Sequence, residues 1–250
     1  MFAEHQRDGL LFLTLEPLDR FDFLRHAFST RHGDVASYLA AAGPAEWPLQ
    51  RLQQAHSAEV WRIADLQAEK PCGDGMLTDR SGIWLGVQTA DCVPVMLVDA
   101  DHRAVGIFHA GWKGTAAGIL QQGVARMRRE FGTDAGRLHC GIGPAIGVCC
   151  YQVGGEVFES FHSWSNRGEY FNPDVPGKYR LDLWKANRAQ VLEAGVPSAQ
   201  IYGEPLCTAC RVDRFFSHRG EHGRAGRMLA VIGMKQGSGF RGQGSGNCGL

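Results

Sequence analysis

The chain has 250 residues, of which 44% are hydrophobic and 21% charged, a composition typical of a globular protein with a substantial core. Lysine and arginine total 26, as do aspartate and glutamate, and no basic block stands out, so the composition gives no support to a nucleic-acid-binding surface. No apolar stretch approaches the length of a membrane span, and the N-terminus lacks a small-residue cleavage site. We therefore expect a cytoplasmic protein with no membrane and no nucleic-acid partner.

The order of apolar runs predicts a layered fold. Strand-like runs lie at residues 10–15, 59–63, 83–88, 93–99, 104–108, 137–142 and 228–232, and helical patterns at 115–131, 155–161 and 181–194. The runs at 93–99 and 104–108 are apolar on both faces, which is typical of strands covered on both sides. We predict one catalytic α/β (α+β) domain over residues 1–236, with mixed β-sheets packed between helices. It is not a Rossmann fold, because no GxGxxG joins a strand to a helix. The Gly- and Ser-rich residues 237–250 predict a flexible tail that contains Cys248.

A hairpin between the two central strands predicts one pair of reactive side chains. A turn centred between Ala100 and Asp101 would place Cys92 directly opposite His109, with Cβ atoms about 5 Å apart. Such a pair is compatible with a cysteine nucleophile and its base, with two metal ligands, or with a buried cysteine beside a structural histidine. His56, just before a predicted strand, is a candidate third ligand, and three protein ligands would leave a zinc ion one open position.

The segment after His109 suggests an anion site. Gly111 and Gly114 precede the predicted helix that begins at Thr115, and a helix N-terminus presents free N–H groups to phosphate. Thr115 as a simple N-cap is the alternative reading.

Two aspartates near the predicted site each have more than one possible role. Asp74 and Asp91 flank the predicted site and could act as bases or orient the ligands. Asp91, next to Cys92, is the better catalytic candidate, and a turn-stabilising role is its alternative.

The eight cysteines are irregularly spaced, which favours thiols and metal ligands over a disulfide framework. Cys207 and Cys210 have the spacing of a redox pair or of half a zinc site, and a structural role is favoured. The roles of these two and of the vicinal Cys149 and Cys150 stay open.

Nine short motifs together resemble one known family. They are STRHG (29–33), QAHS (54–57), GDGMLT (73–78), TADCVPV (89–95), HAGWKGT (109–115), GIGPAIGVCCYQVG (141–154), DLW (182–184), FFSHR (215–219) and AGRMLAVIG (225–233). In this order they resemble the YfiH-like family, variously labelled polyphenol oxidoreductase (laccase) and purine nucleoside phosphorylase. The resemblance spans residues 29 to about 233.

The resemblance implies a zinc-dependent enzyme of purine nucleosides, with copper as the alternative ion. It implies phosphorolysis of adenosine, inosine, guanosine and methylthioadenosine, and deamination of adenosine. The family's metal ligands correspond to His56, Cys92 and His109, and we assign catalysis to Cys92, His109 and Asp91. The expected partners are a purine nucleoside and phosphate, and the chain is expected to be a monomer or homodimer.

Cations are the candidate substrate and phosphate contacts, since a guanidinium fork suits phosphate oxygens. They are Arg31, Lys113, Arg219 and Arg227, and Thr115 joins them as a candidate. Structural ion pairs are the alternative for each arginine. The chain departs from the family pattern at Lys113, where arginine is usual, at Asp34 in place of glycine, and at His218 in place of tyrosine. Lysine keeps the charge but loses bidentate contact, so we expect weaker anion binding at that turn.

Other functions compete with the purine nucleoside enzyme. A copper-dependent polyphenol oxidase (laccase) ranks lower because multicopper chemistry needs many histidines, and the chain has ten and no HxH motif. A metal-free thiol hydrolase would need Cys92 to be free. A peptidoglycan-precursor editing factor, or a non-enzymatic metal-dependent interaction protein in cell-wall quality control, are further alternatives.

Overall fold

The computed structural model of the chain describes residues 1–236. The predicted tail at 237–250, with Cys248, lies outside the described residues.

The described residues form fifteen strands and six α-helices. The strands are β1 (Phe2–Arg7), β2 (Leu10–Leu15), β3 (Leu24–Ser29), β4 (Leu49–Gln50), β5 (Val60–Arg62), β6 (Gly75–Thr78), β7 (Trp84–Thr89), β8 (Val93–Asp99), β9 (Ala104–Ala110), β10 (His139–Ile142), β11 (Gln152–Gly154), β12 (Phe171–Pro173), β13 (Lys178–Leu181), β14 (Ile201–Tyr202) and β15 (Met228–Met234). The helices are α1 (Glu16–Asp19), α2 (Val35–Ala42), α3 (Trp112–Ala116), α4 (Ile119–Phe131), α5 (Gly155–Ser160) and α6 (Leu183–Glu193).

Two six-stranded mixed sheets form the centre of the fold. The first has the strand order β1-β2-β3-β15-β7-β4 and the second β14-β10-β8-β9-β6-β5. A third sheet of three strands, β11-β13-β12, is formed by part of the chain between α4 and α6. None of the helices in residues 1–236 combines the length and the apolar character needed to cross a bilayer.

The two large sheets stack on each other and are covered by helices on their outer faces. Met96 and Val98 of β8 pack between the sheets, with residues such as Leu85 and Ile232 of the first sheet. Val95, which points the opposite way along β8, belongs to a second cluster formed with α4 and α6. A third cluster packs α2 against the outer face of the first sheet. The layers are therefore helix, sheet, sheet and helix, which confirms the predicted layered fold and explains why β8 is apolar on both faces.

The hairpin of β8 and β9 corrects the predicted register. Asp99 pairs with Ala104 and Pro94 with His109, so the turn is centred one residue later than predicted and Cys92 does not lie directly opposite His109. The Asp99 carboxylate accepts the backbone N–H groups of residues 101 and 102, each at 3.0 Å, and stabilises a four-residue turn. Moving the centre of the turn by one residue moves the cross-strand partner of each residue by two positions, so that Pro94 instead of Cys92 pairs with His109. Because side chains alternate with a period of two, Cys92 still faces the same side as His109.

The predicted helix at 115–131 is two helices. Gly118, with φ 75°, adopts a left-handed conformation between α3 and α4 that favours glycine. The first of these helices begins after Gly111, so Thr115 lies inside α3 rather than at its N-terminus. Its hydroxyl donates to the Gly111 carbonyl at 2.9 Å and faces the Asn187 amide oxygen at 3.1 Å.

Candidate metal centre and pocket

Three donor side chains from separate segments meet at one end of the second sheet. His56 lies in the loop between β4 and β5, Cys92 immediately before β8, and His109 near the end of β9. Their ligand atoms all lie within 4.8 Å of one another, and the two imidazole centroids are 4.8 Å apart. His109 is 4% exposed, Cys92 is half-buried and His56 is exposed, so the group opens to solvent on one side. The structure thus brings together all three predicted ligands.

Asp74, which is fully buried and directly precedes β6, holds two of these segments in place. One carboxylate oxygen lies 2.7 Å from Nδ1 of His109 and accepts the backbone N–H of His56 at 3.1 Å. The other accepts from the backbone N–H and hydroxyl of Ser57 at 2.6 and 2.8 Å, and from the N–H of Ala55 at 3.1 Å. His56 has a positive φ of 56°, a costly conformation for a non-glycine residue, and these bonds stabilise it.

The electrostatics of the site favour a thiolate. Burial raises the pKa of the Cys92 thiol, but the hydrogen bonds and charges of His109 and His56 outweigh burial and bring the pKa down to about 6. Burial lowers the pKa of His109, while Asp74 and Cys92 raise it to about 9. Burial likewise raises the pKa of Asp74, and the bonds from His109 and Ser57 lower it to about 2. Without a metal, these pKa values favour a thiolate on Cys92, an imidazolium on His109 and a carboxylate on Asp74.

This donor set fits a metal ion. Because the Asp74 carboxylate holds one proton of His109 on Nδ1, loss of the other proton would free the Nε2 lone pair for a metal, the arrangement typical of carboxylate–histidine–metal sites. Gly111 leaves room beside the donors, since a Cβ there would lie 2.8 Å from Nδ1 of His56 and 2.9 Å from Sγ of Cys92. One thiolate and two imidazoles suit zinc or copper, and three protein ligands leave a position open for water or substrate.

A pocket of about 640 Å³ opens directly onto the three donors. Its size lies within the range of small-molecule sites. It is lined by Leu52, Gln54, His56, Gln88, Ala90, Asp91, Cys92, His109, Trp112, Lys113, Tyr151, His218, Arg219 and Arg227. Two aromatic rings and three cations thus share one pocket with the metal donors.

The predicted substrate-binding residues divide into two groups. Lys113, Arg219 and Arg227 line the pocket. Arg31 does not: its guanidinium forms an ion pair with Glu221 at 3.0 Å and stacks over the Phe216 ring.

Thr115 also lies away from the pocket, because it is fully buried inside α3. The helix boundary that motivated its choice is wrong, so its side chain has no route to a phosphate in this structure.

Asp91 has a structural environment although it reaches the pocket wall. Its carboxylate oxygens accept the Thr208 hydroxyl at 2.6 Å and the backbone N–H of Arg219 at 2.7 Å. Its backbone φ is 87°, and its carbonyl accepts the N–H of Ile146 at 2.9 Å. Asp91 thus ties together the loops around Cys92, and its catalytic role stays a prediction.

The sequence did not point to the pocket residues Gln54, Gln88, Trp112 and Tyr151. Tyr151 and Trp112 present the aromatic rings, and Gln54 and Gln88 exchange two hydrogen bonds of 2.8 Å between the amide of Gln54 and the backbone of Gln88. Gln54, Trp112 and Tyr151 lie in the motifs QAHS, HAGWKGT and CCYQVG, and Gln88 directly precedes TADCVPV. Each therefore lies within a few positions of a predicted ligand or cysteine.

Comparison with known proteins identifies the family of this chain. The family model described as multi-copper polyphenol oxidoreductase laccase matches residues 32–235, most of the chain and all three metal donors. The chain belongs to this laccase-like family.

Relatives in this laccase-like family carry the names of purine nucleoside enzymes. The protein named purine nucleoside phosphorylase YlmD of Geobacillus stearothermophilus is 38% identical over 209 residues, which cover 77% of this chain and 76% of that protein. A protein named adenosine deaminase RL5, from an unknown prokaryotic organism, is 37% identical and covered to 72% on both sides. The crystal structure of YlmD from Geobacillus stearothermophilus matches with a TM-score of 0.85 and 32% identity, over 94% of this chain and 100% of that one.

Proposed function

We propose that this chain is a zinc-dependent enzyme of purine nucleosides. It would phosphorolyse adenosine, inosine, guanosine and methylthioadenosine, and deaminate adenosine. The observation that carries the proposal is the His56–Cys92–His109 group, which is backed by Asp74 and faces an open pocket with two aromatic rings and three cations. The names of the relatives, purine nucleoside phosphorylase and adenosine deaminase, support the same substrate class.

The chain's own groups have separate tasks in this proposal. His56, Cys92 and His109 would hold the zinc ion, which supplies Lewis acidity and lowers the pKa of a bound water. Asp74 keeps the His109 proton on Nδ1, so that Nε2 faces the metal. Tyr151 and Trp112 offer faces on which a purine can stack.

Phosphate would bind at the cationic side of the pocket. The Arg219 guanidinium is fixed by a 2.7 Å bond to the Gln152 carbonyl and lies 5.4 Å from the Tyr151 ring. Lys113 lies 5.6 Å from the Trp112 ring. Both of these cations adjoin an aromatic ring, which would place phosphate next to the stacked base. In phosphorolysis a phosphate oxygen replaces the base nitrogen at the ribose carbon, and in deamination water replaces the amine and ammonia leaves.

The test is an adenosine assay with and without phosphate, on metal-quantified protein. We expect adenine and ribose 1-phosphate only when phosphate is present, and inosine in either case. Cys92→Ala should lose both activities and its zinc. Cys72→Ala is the matched control, because Cys72 is exposed and outside the pocket. Full activity of Cys92→Ala in both assays would overturn the proposal.

A copper site is the second candidate, since one thiolate and two imidazoles are also the core of blue-copper centres. Multicopper oxidation, however, needs a further histidine cluster. In residues 1–236, two groups of three or more donors occur, and only the His56–Cys92–His109 group contains histidine. Copper-loaded protein that oxidises phenols, with a strong visible thiolate-to-copper absorption, would favour this reading. Cytoplasmic location and a monomeric or homodimeric state stay predictions from the sequence.

A further inference from the structure

Two cysteine pairs that are far apart in the sequence meet at the surface beside the pocket. The vicinal pair Cys149 and Cys150 precedes β11, and Cys207 and Cys210 lie in the loop between β14 and β15. Sγ of Cys210 lies 3.5 Å from that of Cys149 and 3.4 Å from that of Cys150. All four sulfurs lie within 4.8 Å of one another, and all four thiols are free.

These distances suit metal ligation better than disulfide bonding. A bonded sulfur pair is about 2.05 Å apart. Four thiolates at about 2.3 Å from one zinc ion in tetrahedral geometry are about 3.8 Å apart, close to the observed spacing. Four-cysteine sites are the closed, structural type of zinc site, with no position left for water or substrate.

The backbone at Gly147 also contacts the cysteines in a way that favours thiolates. The N–H of Gly147 donates to Sγ of Cys207 at 3.2 Å, a bond that stabilises negative charge on sulfur. A Cβ at Gly147 would lie 3.1 Å from Cβ of Cys207 and 3.2 Å from Sγ of Cys149, so a side chain there would press the two loops slightly apart. The loops are joined further by backbone bonds between Ala145 and residues 206 and 208, at 3.2 and 3.0 Å.

We propose that Cys149, Cys150, Cys207 and Cys210 bind a second, structural zinc ion that cross-links the two loops flanking the pocket. The first loop continues directly into Tyr151 on the pocket wall. The second supplies Thr208, whose hydroxyl donates to Asp91, the neighbour of Cys92, at 2.6 Å. The ion therefore positions the pocket wall and takes no part in the reaction.

The test is the zinc content of the full chain, purified under reducing conditions. We expect two zinc ions per wild-type chain and one in Cys149→Ser/Cys210→Ser, whose two sulfurs are exposed and whose loss leaves the core intact. Cys72→Ser, an exposed cysteine outside both groups, should keep two. His56→Ala/Cys92→Ser should keep one, and combining both double substitutions should leave none. One zinc in the wild type, retained in Cys149→Ser/Cys210→Ser, would overturn the second site while leaving the first untouched.

A spectroscopic measurement keeps the proposal testable if the cysteine variants do not fold. In His56→Ala/Cys92→Ser, X-ray absorption at the zinc edge should give four sulfur neighbours at about 2.3 Å. A first shell of nitrogen and oxygen, or intact mass and thiol counts that reveal a disulfide among the four cysteines, would contradict the proposal. Because this readout uses protein without the first site, it is independent of nucleoside activity.

Discussion

Nδ1 of His109 lies 2.7 Å from the carboxylate of Asp74, and the same carboxylate accepts the backbone N–H of His56, so one buried aspartate orients two of the three candidate metal ligands. Asp74 is fully buried, and its two oxygens accept five hydrogen bonds from two segments, residues 55–57 and His109. The candidate metal ligands are therefore preorganised by a residue that is not itself one of them.

Asp74→Asn is expected to weaken metal binding at the first site. An amide carries no charge to hold the His109 proton on Nδ1, and its NH₂ group would face backbone N–H donors. We expect a fall of about 10- to 100-fold in zinc affinity, the usual cost of losing a group that orients a ligand. Competition with a chelator measures it. Asp79→Asn, which removes an exposed partner of Arg62, is the control and should leave the affinity unchanged; equal affinity in both variants would contradict the role of Asp74.

Gly111→Ala is expected to exclude the metal while leaving the fold in place. Its φ of −74° is accessible to alanine, so the backbone is not strained. The new Cβ would stand within 3 Å of Nδ1 of His56 and Sγ of Cys92 and push them apart. Zinc content should fall by one ion per chain with a small change in Tm of the metal-free protein. Gly168→Ala, where the added Cβ meets nothing within 4 Å, should keep its zinc.

In metal-free protein, Cys92 is expected to react as a thiolate at unusually low pH. Its pKa of about 6 means that the thiolate fraction rises as pH increases through 6, rather than near the ordinary cysteine value of about 8.5. Alkylation rates followed by peptide mass spectrometry should give this midpoint. His109→Gln removes the main hydrogen bond and charge that lower the pKa, so the midpoint should move upward. The same midpoint in both proteins would show that His109 does not set the thiol's charge.

Arg219→Lys is expected to raise the KM for phosphate. Lysine keeps the charge but loses the guanidinium fork and the bond to the Gln152 carbonyl that orients it. We expect an increase of about tenfold, equivalent to about 1.4 kcal/mol, in phosphorolysis. The kcat for deamination, which uses no phosphate, should change much less. Arg31→Lys is the comparison, because Arg31 lies outside the pocket, and a larger effect there would reverse the assignment.

The layered fold could be predicted from local signals. Strands such as β8 and β2 are continuous apolar runs with clear boundaries, and their predicted bounds are those observed. Strand β3 was missed because Arg25 and His26 interrupt its apolar pattern. Polar His26 is buried there because its Nε2 accepts the N–H of Leu15, a partner that only sheet pairing supplies.

The reactive groups could be identified from the sequence alone: a cysteine and two histidines lie in motifs that resemble one family, close to apolar runs typical of strands covered on both faces. Which of these groups come together depends on the tertiary structure. The hairpin register depends on the hydrogen bonds that Asp99 accepts in the turn. Whether Asp74 or Asp91 contacts His109 depends on which distant segments pack together, and the residue in contact is Asp74. The two cysteine pairs, each an incomplete ligand set along the chain, become one four-sulfur group because loops some 60 residues apart pack together. Such contacts follow from packing across the fold, which no local sequence pattern encodes.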